Sequence, residues 1–223
     1  MQLKLLLKIK NMLFKSFLRK IIGVNINYKN YWNKRYLVGG NSGLGSYGEL
    51  GLFKVNFVNN FLKEKNIESV IEFGCGDGSQ LRQINYKKYL GLDVAASSVE
   101  MCSKLFKEHN NKSFLLYDPM HFVNNNFLKA DLVVCIDVLY HIIPEDHFLK
   151  TLDDIFSCSN KYVILYTSID AYKLEPYKKG THVRHRDMVS YLKNINDYNI
   201  MDIVHNPLPN LSSASFIILK KNN

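Results

Sequence analysis

Glycines and carboxylates share one short stretch of this chain, and their spacing suits the binding of a nucleotide-like ligand. An apolar run over residues 70–73 is followed by Gly74, Gly76 and Gly78 at alternate positions, and a helical pattern is expected over 79–85. Glycine lets the backbone turn sharply and lets a ligand approach it closely. A strand, a glycine turn and a helix are typical of the nucleotide-binding start of an α/β domain.

Carboxylates also follow the next predicted strands. Asp93 comes seventeen residues after Gly76, at the end of the strand 88–93, where it can accept hydrogen bonds from a ribose diol. Asp118 and Asp137 follow two later strands in the same way. Ligands of open α/β sheets bind beyond the carboxyl ends of the strands, so these side chains are expected to share one ligand-binding edge.

The acidic flanks of the glycine turn distinguish between cofactors. A dinucleotide site favours the spacing G-x-G-x-x-G and a helix N-terminus facing the pyrophosphate. Here the third glycine comes one residue early, and Glu72 and Asp77 would repel a pyrophosphate. S-adenosylmethionine (SAM) carries a sulfonium, an ammonium and a ribose but no phosphate, so the pattern favours SAM over NAD.

An alternating order of elements must position these residues. Strands are predicted at 68–73, 88–93, 113–117, 131–136, 161–167, 198–204 and 214–220, with helices at 49–65, 79–85, 97–108, 144–157 and 186–194. Alternating strands and helices predict a mostly parallel sheet with helices on both faces. The last two strands, joined without a helix, predict an antiparallel hairpin at the edge of the sheet.

The positive charge lies at one end of the chain. Of 223 residues, 29 are Lys or Arg and 20 are Asp or Glu; residues 1–48 hold nine of the basic residues and no acidic one. The remaining domain, 49–223, is therefore neutral, which argues against nucleic acid as a partner. Four separated cysteines in apolar runs indicate reduced thiols and a cytoplasmic protein.

Residues 1–22 read as a basic amphipathic helix. Such a helix contacts either an anionic membrane surface, which would place the protein at the periphery of the inner membrane, or a partner subunit. The sequence contains no run of about 18 uncharged apolar residues, so no membrane-spanning helix is predicted. Residues 23–48, named here the lid segment, place Trp32 and several tyrosines before five glycines in ten residues, and we expect them to cover a ligand.

The motifs resemble those of the class I SAM-dependent methyltransferases. The resemblance covers residues 47–221 and rests on E-F-G-C-G-D-G at 72–78, G-L-D at 91–93 and A-D-L-V-V-C-I-D-V-L-Y-H at 130–141. Residues 31–46 and T-H-V-R-H-R at 181–186 are similar to a bacterial subgroup associated with surface-polysaccharide and capsule modification. Residues 168–185 form a short insertion compared with methyltransferases that carry large substrate domains, which argues against a bulky folded substrate.

The resemblance implies a Rossmann-like class I methyltransferase fold with seven strands, and roles for individual residues. It assigns SAM binding to Ser42, Ser46, Glu72, Gly74, Cys75, Gly76, Asp93, Val94, Asp118, Pro119, Met120, Asp137 and Val138.

The acceptor side has its own candidates. Tyr140 and His141 follow the fourth strand, and His182 and His185 follow the fifth; His141 is the first choice as a base, although any single histidine is more often a cap or a surface residue. Arg184 and Arg186 suit an anionic acceptor, and Trp32, Arg35 and Tyr36 would add contacts. No spacing matches a metal-ligand set, so no metal is predicted.

The sequence thus predicts a SAM-dependent methyltransferase that methylates an oxygen of a small molecule, sugar or phosphate-type group in surface glycan or capsule biosynthesis. Two alternatives remain at this point: an NAD(P)-dependent oxidoreductase, which Asp93 permits, and a non-catalytic SAM-fold module tethered by residues 1–22. Nucleic-acid methylation is a weaker fourth hypothesis.

Overall fold

A seven-stranded sheet organises the protein, for which a computed structural model describes residues 26–169 and 180–222. The strand order is β3-β2-β1-β4-β5-β7-β6. The strands are β1 (Ser69–Phe73), β2 (Lys88–Asp93), β3 (Lys112–Leu116), β4 (Ala130–Ile136), β5 (Ser159–Ser168), β6 (Tyr198–Val204) and β7 (Ala214–Lys221). Strands β1 to β5 run parallel, whereas β7 is antiparallel to both β5 and β6. The predicted fold class, including the antiparallel hairpin, is confirmed.

Helices cover both faces of this sheet. They are α1 (Tyr28–Leu37), α2 (Gly48–Glu64), α3 (Ala96–Leu105), α4 (Glu145–Ser157) and α5 (Met188–Leu192). The buried side chains of β4 alternate between two hydrophobic clusters, one on each face of the sheet, so both faces need to be covered by helices. Val133 and Cys135 pack on the side of α4 and α5, whereas Leu132 and Val134 pack on the side of α2 and α3.

The predicted helix 79–85 is wrong, because the segment holds only a short 3-10 turn, Leu81–Gln83. Gly78 has a φ of 72°, and the Asp77 side chain accepts a hydrogen bond from the backbone N–H of Ser79. A few residues later the amide of Asn85 donates to the side chain of Asn59 on α2, at 3.0 Å. These contacts leave the chain extended towards β2 before a regular helix can form.

Two other segments differ from the sequence prediction. The helix expected at 186–194 is limited to α5, because Asp187 caps it by accepting from the N–H of Ser190, and Arg186 is bound to Glu145. The lid segment contains a helix, α1, that the sequence reading did not identify. Asn27 caps its first turn, and Gly39, with a φ of 79°, follows its end.

The predictions for residues 1–22 lie outside the described residues. Within the described part of the chain, no helix combines the length and the apolar composition needed to cross a membrane. All four cysteines are buried and free.

Candidate functional site

The glycine turn after β1 forms the floor of a cavity at the carboxyl ends of the strands. Gly74, at φ 91°, donates its N–H to the carbonyl of Leu92, and a Cβ added to it would lie 2.1 Å from a methyl carbon of Val138. Gly76, at φ 58°, faces the hydroxyl of Ser42, which would lie 2.5 Å from an added Cβ. Both positions therefore require glycine for backbone conformation and for space.

Two buried carboxyl groups lie beside this turn. Asp93 ends β2 and accepts hydrogen bonds from the N–H groups of Gly76, at 2.9 Å, and Ala95, at 2.8 Å. Glu72 accepts a hydrogen bond from the hydroxyl of Tyr89. Burial raises the pKa of Asp93 above its usual range, and it raises the pKa of Glu72 to about 7 despite the bond from Tyr89.

A third carboxylate, Asp77, holds the lid segment on the glycine turn. It accepts from the backbone N–H of Ser42, at 2.7 Å, and from the hydroxyl of Tyr47, at 2.5 Å, and its own N–H donates to Ser42 Oγ at 3.1 Å. Burial alone would raise the pKa of Asp77, but the hydrogen bonds from Tyr47 and Ser42 outweigh burial and lower it. The lid loop, defined as residues 38–47, is thus fixed at two points to the turn that it covers.

Asp137, directly after β4 and partly exposed, forms an ion pair with a buried lysine that sequence reasoning missed. Its carboxylate pairs with Lys54 of α2 and also accepts from the hydroxyl of Tyr140, at 2.7 Å. The backbone of Asp137 is left-handed, at φ 61°. The only sequence signal for Lys54 was a lysine within the apolar pattern of a predicted helix.

An aromatic wall lines one side of the cavity. The ring of His141 lies 4.9 Å from Trp32 and stacks on His182 at 5.4 Å, and His182 stacks in turn on Tyr31 at 4.8 Å. Nδ1 of His141 lies 2.9 Å from the backbone carbonyl of His182. Burial lowers the pKa of His141 to about 4, so the ring is neutral near pH 7.

The cavity between these groups encloses about 90 Å³. Most of the predicted site residues line it: Trp32, Tyr36, Ser42, Ser46, Glu72, Gly74, Cys75, Gly76, Asp93, Val94, Asp137, Val138 and His141. Lining residues that the sequence did not single out include Tyr28, Gln80, Tyr117 and Thr151. Gln80 lies in the turn after β1, whereas the positions of Tyr28, Tyr117 and Thr151 depend on how α1 and α4 pack on the sheet, which no local sequence motif indicates.

Other predicted site residues lie outside the lining. Arg184 forms an ion pair with Glu145, at 2.9 Å, and Arg186 contacts the same carboxylate and packs over the ring of Phe148. Arg35 donates to the backbone carbonyl of Asn41 within the lid segment. The acceptor-binding role predicted for these arginines stays a prediction, and all three guanidinium groups already have partners in the protein.

The remaining candidates stand behind or beside the cavity. His185 hydrogen bonds through Nδ1 to Ser168, and Tyr140 lies between it and Asp137. Asp118 forms an ion pair with Lys29 of α1, at 2.6 Å. Its neighbours Pro119 and Met120 also lie outside the lining, and the side chain of Met120 is exposed. Their predicted roles in catalysis and in adenine binding therefore stay predictions.

Comparisons with solved structures identify the same architecture. N-methyltransferase NodS from Bradyrhizobium japonicum WM9, in complex with S-adenosyl-L-homocysteine (SAH), is similar with a TM-score of 0.69 and 13% identity, over 89% of this chain and 100% of that one. Magnesium protoporphyrin IX methyltransferase (ChlM) from Synechocystis PCC 6803, with bound SAM, is similar with a TM-score of 0.63 and 15% identity, over 89% and 99%. At such identities the likeness shows the fold alone.

Sequence comparison supplies the family. A search of curated proteins finds no match. The family described as "Methyltransferase domain" matches residues 52–199, which include the glycine turn, Asp93, Asp137 and His141. The match covers well over half of the chain, and the chain belongs to the methyltransferase domain family.

Proposed function

We propose that the cavity binds SAM and that the protein transfers its methyl group to an oxygen of a small acceptor. The observation that carries this proposal is the acidic character of the lining. The Asp and Glu residues that line the cavity are Glu72, Asp77, Asp93 and Asp137, and no Lys or Arg among the described residues lines it. When bound, SAM supplies a methyl group on a cationic sulfur.

The residues of the chain fit this donor. Gly74 and Gly76 let the backbone approach a ligand closely, and Glu72 and Asp93 lie beside them. Asp93 lies at the end of β2 in the lining, where ribose hydroxyls can donate to its carboxylate, and Glu72 favours a nearby cation. Because SAM carries a sulfonium and an ammonium but no phosphate, this acidic cradle complements its charge.

The same turn argues against the NAD(P) alternative. A pyrophosphate is bound by the N-terminus of a helix that follows the glycine turn. Here residues 79–87 form a 3-10 turn and extended chain, so no helix N-terminus faces the cavity at that point. Asp77 stands where the pyrophosphate would need positive charge. These features support SAM over a dinucleotide.

The acceptor that we propose is an uncharged hydroxyl of a small molecule or of a sugar unit in a surface glycan. Trp32 and His141 give it an aromatic wall, and neutral His141 offers a nitrogen lone pair to the hydroxyl proton. Positioning the hydroxyl supplies much of the rate of such a displacement. The anionic acceptor expected from Arg184 and Arg186 is less favoured, because Glu145 already pairs with both.

The glycan and capsule setting rests on the resemblance of residues 31–46 and 181–186 to the bacterial subgroup. We also propose that residues 1–22, which lie outside the described residues, bring the protein to the cytoplasmic face of an anionic membrane. Lipid-linked acceptors would be presented at that surface. The absence of acidic residues from the first 48 positions supports this placement.

Calorimetric titration with SAM tests the donor, and mass spectrometry of a hydroxyl-compound and oligosaccharide panel tests the acceptor. We expect the wild-type protein to bind SAM and Asp93→Ala to lose this binding. We also expect a neutral hydroxyl compound to gain one methyl group. The proposed donor would be overturned if titrating SAM into the wild-type protein released or absorbed no heat and SAH did not compete for binding. Methylation of phosphate or carboxylate compounds alone would overturn the proposed acceptor class.

A further inference from the structure

Lys54 is a fully buried lysine whose ammonium group has three different partners. Its side chain is 0% exposed. Nζ forms the ion pair with Asp137, donates to the carbonyl oxygen of Gly45 at 2.8 Å, and lies 4.4 Å from the centre of the Tyr166 ring. Two of the three N–H donors of the ammonium are thus hydrogen-bonded, and the Tyr166 ring adds a cation–π contact.

Stability alone does not account for this arrangement. Burial lowers the pKa of Lys54 although Asp137 opposes the shift, which means that the charge is desolvated at a cost. A buried ion pair is on balance often no more stabilising than apolar side chains of similar volume. The pair needs a role besides stability, and its position indicates one.

The Lys54 ammonium joins the lid loop to the wall of the cavity. Gly45 lies in the lid loop, Asp137 lines the cavity, and Lys54 itself is anchored in α2. The cavity of about 90 Å³ is smaller than the roughly 300 Å³ or more of typical ligand pockets, so part of its wall has to shift to accommodate a donor, and the lid loop with Ser42 and Ser46 is part of that wall. The bond from Lys54 to the Gly45 carbonyl breaks when that loop lifts, while the ion pair with Asp137 can stay.

We propose that Lys54 is a positioning residue that latches the lid loop closed over the donor and holds Asp137 in place beneath it. The proposal rests on the proposed function, because the latch controls access to the donor cavity. Lys54 makes no contact with the reacting atoms; it acts through Gly45 and Asp137.

The single tryptophan of the chain reports on the latch. Trp32 lies on α1 in the lid segment and lines the cavity, so its emission is free of other indole signals. Stopped-flow displacement of SAH, followed by this emission, measures the rate at which the closed lid releases the product. Loss of one hydrogen bond to a charged group in Lys54→Met is expected to raise the dissociation rate by about tenfold or more.

A double variant separates latching from folding. Lys54→Met alone leaves the partly buried Asp137 without its cation and is expected to lower the thermal midpoint as well. Combining it with Asp137→Asn removes both charges, and Asn tolerates the left-handed backbone at this position. Asp137 itself lines the cavity, so the double variant is compared with Asp137→Asn alone, in which Lys54 can still donate to Gly45. The double variant should regain thermal stability yet release SAH about tenfold faster than Asp137→Asn, because Gly45 has lost its donor.

Lys161→Met is the matched control. Lys161 also forms an ion pair with an aspartate, Asp131, at 2.9 Å, but at the opposite ends of the strands from the cavity. Its variant should release SAH at the wild-type rate. A release rate in the double variant equal to that of Asp137→Asn would overturn the proposal and leave the pair a purely structural one.

A measurement on the protein without ligand tests the role of Lys54 separately from the proposed function. If the wild-type protein binds neither SAM nor SAH, the proposed donor fails, but acrylamide quenching of Trp32 still reports how closed the lid segment is. If Lys54 holds the lid loop closed, acrylamide should quench Trp32 more strongly in the double variant than in the wild type or in Lys161→Met. Equal quenching in all three proteins would overturn the latch independently of the donor.

Discussion

The Nδ1 atom of His141 and the backbone carbonyl of His182 form a hydrogen bond of 2.9 Å that fixes the tautomer of the His141 ring. A carbonyl oxygen can only accept, so Nδ1 carries the proton and Nε2 carries the lone pair. This bond joins the segment after β4 to the segment after β5. It makes the loop around His182 a support for His141, although the His182 ring lies outside the cavity lining.

The burial of the His141 ring is expected to make the folded protein less stable in acid. The folded pKa of His141 is about 4, whereas a free histidine titrates near 6.5, so between these values the unfolded chain binds more protons than the folded one. The free energy of unfolding is therefore expected to fall as the pH drops from about 6.5 to about 4, by up to ~3 kcal/mol from this group. Denaturant unfolding of wild type and His141→Gln over that range measures it. Equal pH dependence in both proteins would contradict the expected contribution.

The pH dependence of catalysis should show the same depressed pKa. A base that stays neutral down to about pH 4 keeps its lone pair throughout the physiological range, so kcat should not fall between about pH 8 and pH 6. His141→Gln should lower kcat by about 10²-fold or more while leaving SAM affinity within a few fold. Rate profiles with the neutral acceptor found in the panel check this. A rate that halves near pH 6.5 would show that another group accepts the proton.

Much of the cavity lining could be predicted from the sequence because it is local. The glycine turn and the carboxylates at strand ends depend on a few neighbouring residues and on the rule that parallel strands end at one edge. Gly74, Gly76, Asp93 and Asp137 all line the cavity as the spacing indicated.

The rest of the site depends on contacts that no short pattern encodes. Arg184 and Arg186 looked available for an anion, but α4 brings Glu145 against both. Lys54 was not singled out from the sequence, yet it is fully buried and pairs with Asp137. In each case an ion pair between residues distant in the sequence decides the role, and local periodicity carries no information on such a pair.

The glycine at position 74 should be intolerant of any side chain. In Gly74→Ala the new Cβ would lie 2.1 Å from Val138, and the φ of 91° is costly for alanine. We expect a loss of about 2–4 kcal/mol in the free energy of unfolding and loss of SAM binding, measured by denaturant unfolding and calorimetry. Adding Val138→Ala removes the clash but not the backbone strain, so stability should return only in part. Full recovery in the double variant would mean that the clash alone excludes a side chain.

Membrane attachment through residues 1–22 makes a prediction that needs no acceptor. Wild-type protein should sediment with vesicles of mixed neutral and anionic phospholipid and should be released as the salt concentration rises, because lysines screened by salt lose their attraction. A chain that lacks residues 1–22 should stay in the supernatant at every salt concentration and still bind SAM. Vesicles of neutral lipid are the matched control. Equal sedimentation of the full and the shortened chain would assign membrane contact to another surface, and sedimentation of neither would favour a protein partner for this segment.

The raised pKa of Glu72 predicts that donor binding is linked to a proton. In the free protein this carboxyl titrates near pH 7, because burial favours its neutral form, whereas a bound sulfonium or ammonium favours the carboxylate. Binding below that pH must therefore release a proton, and SAM affinity should rise as the pH increases from about 6 towards 8. Glu72→Gln should bind SAM more weakly and lose this rise, while any titration of the donor's own amine remains in both proteins. Calorimetry in two buffers of different ionisation enthalpy counts the released protons, and a proton count that is the same in wild type and Glu72→Gln would assign the linkage to another group.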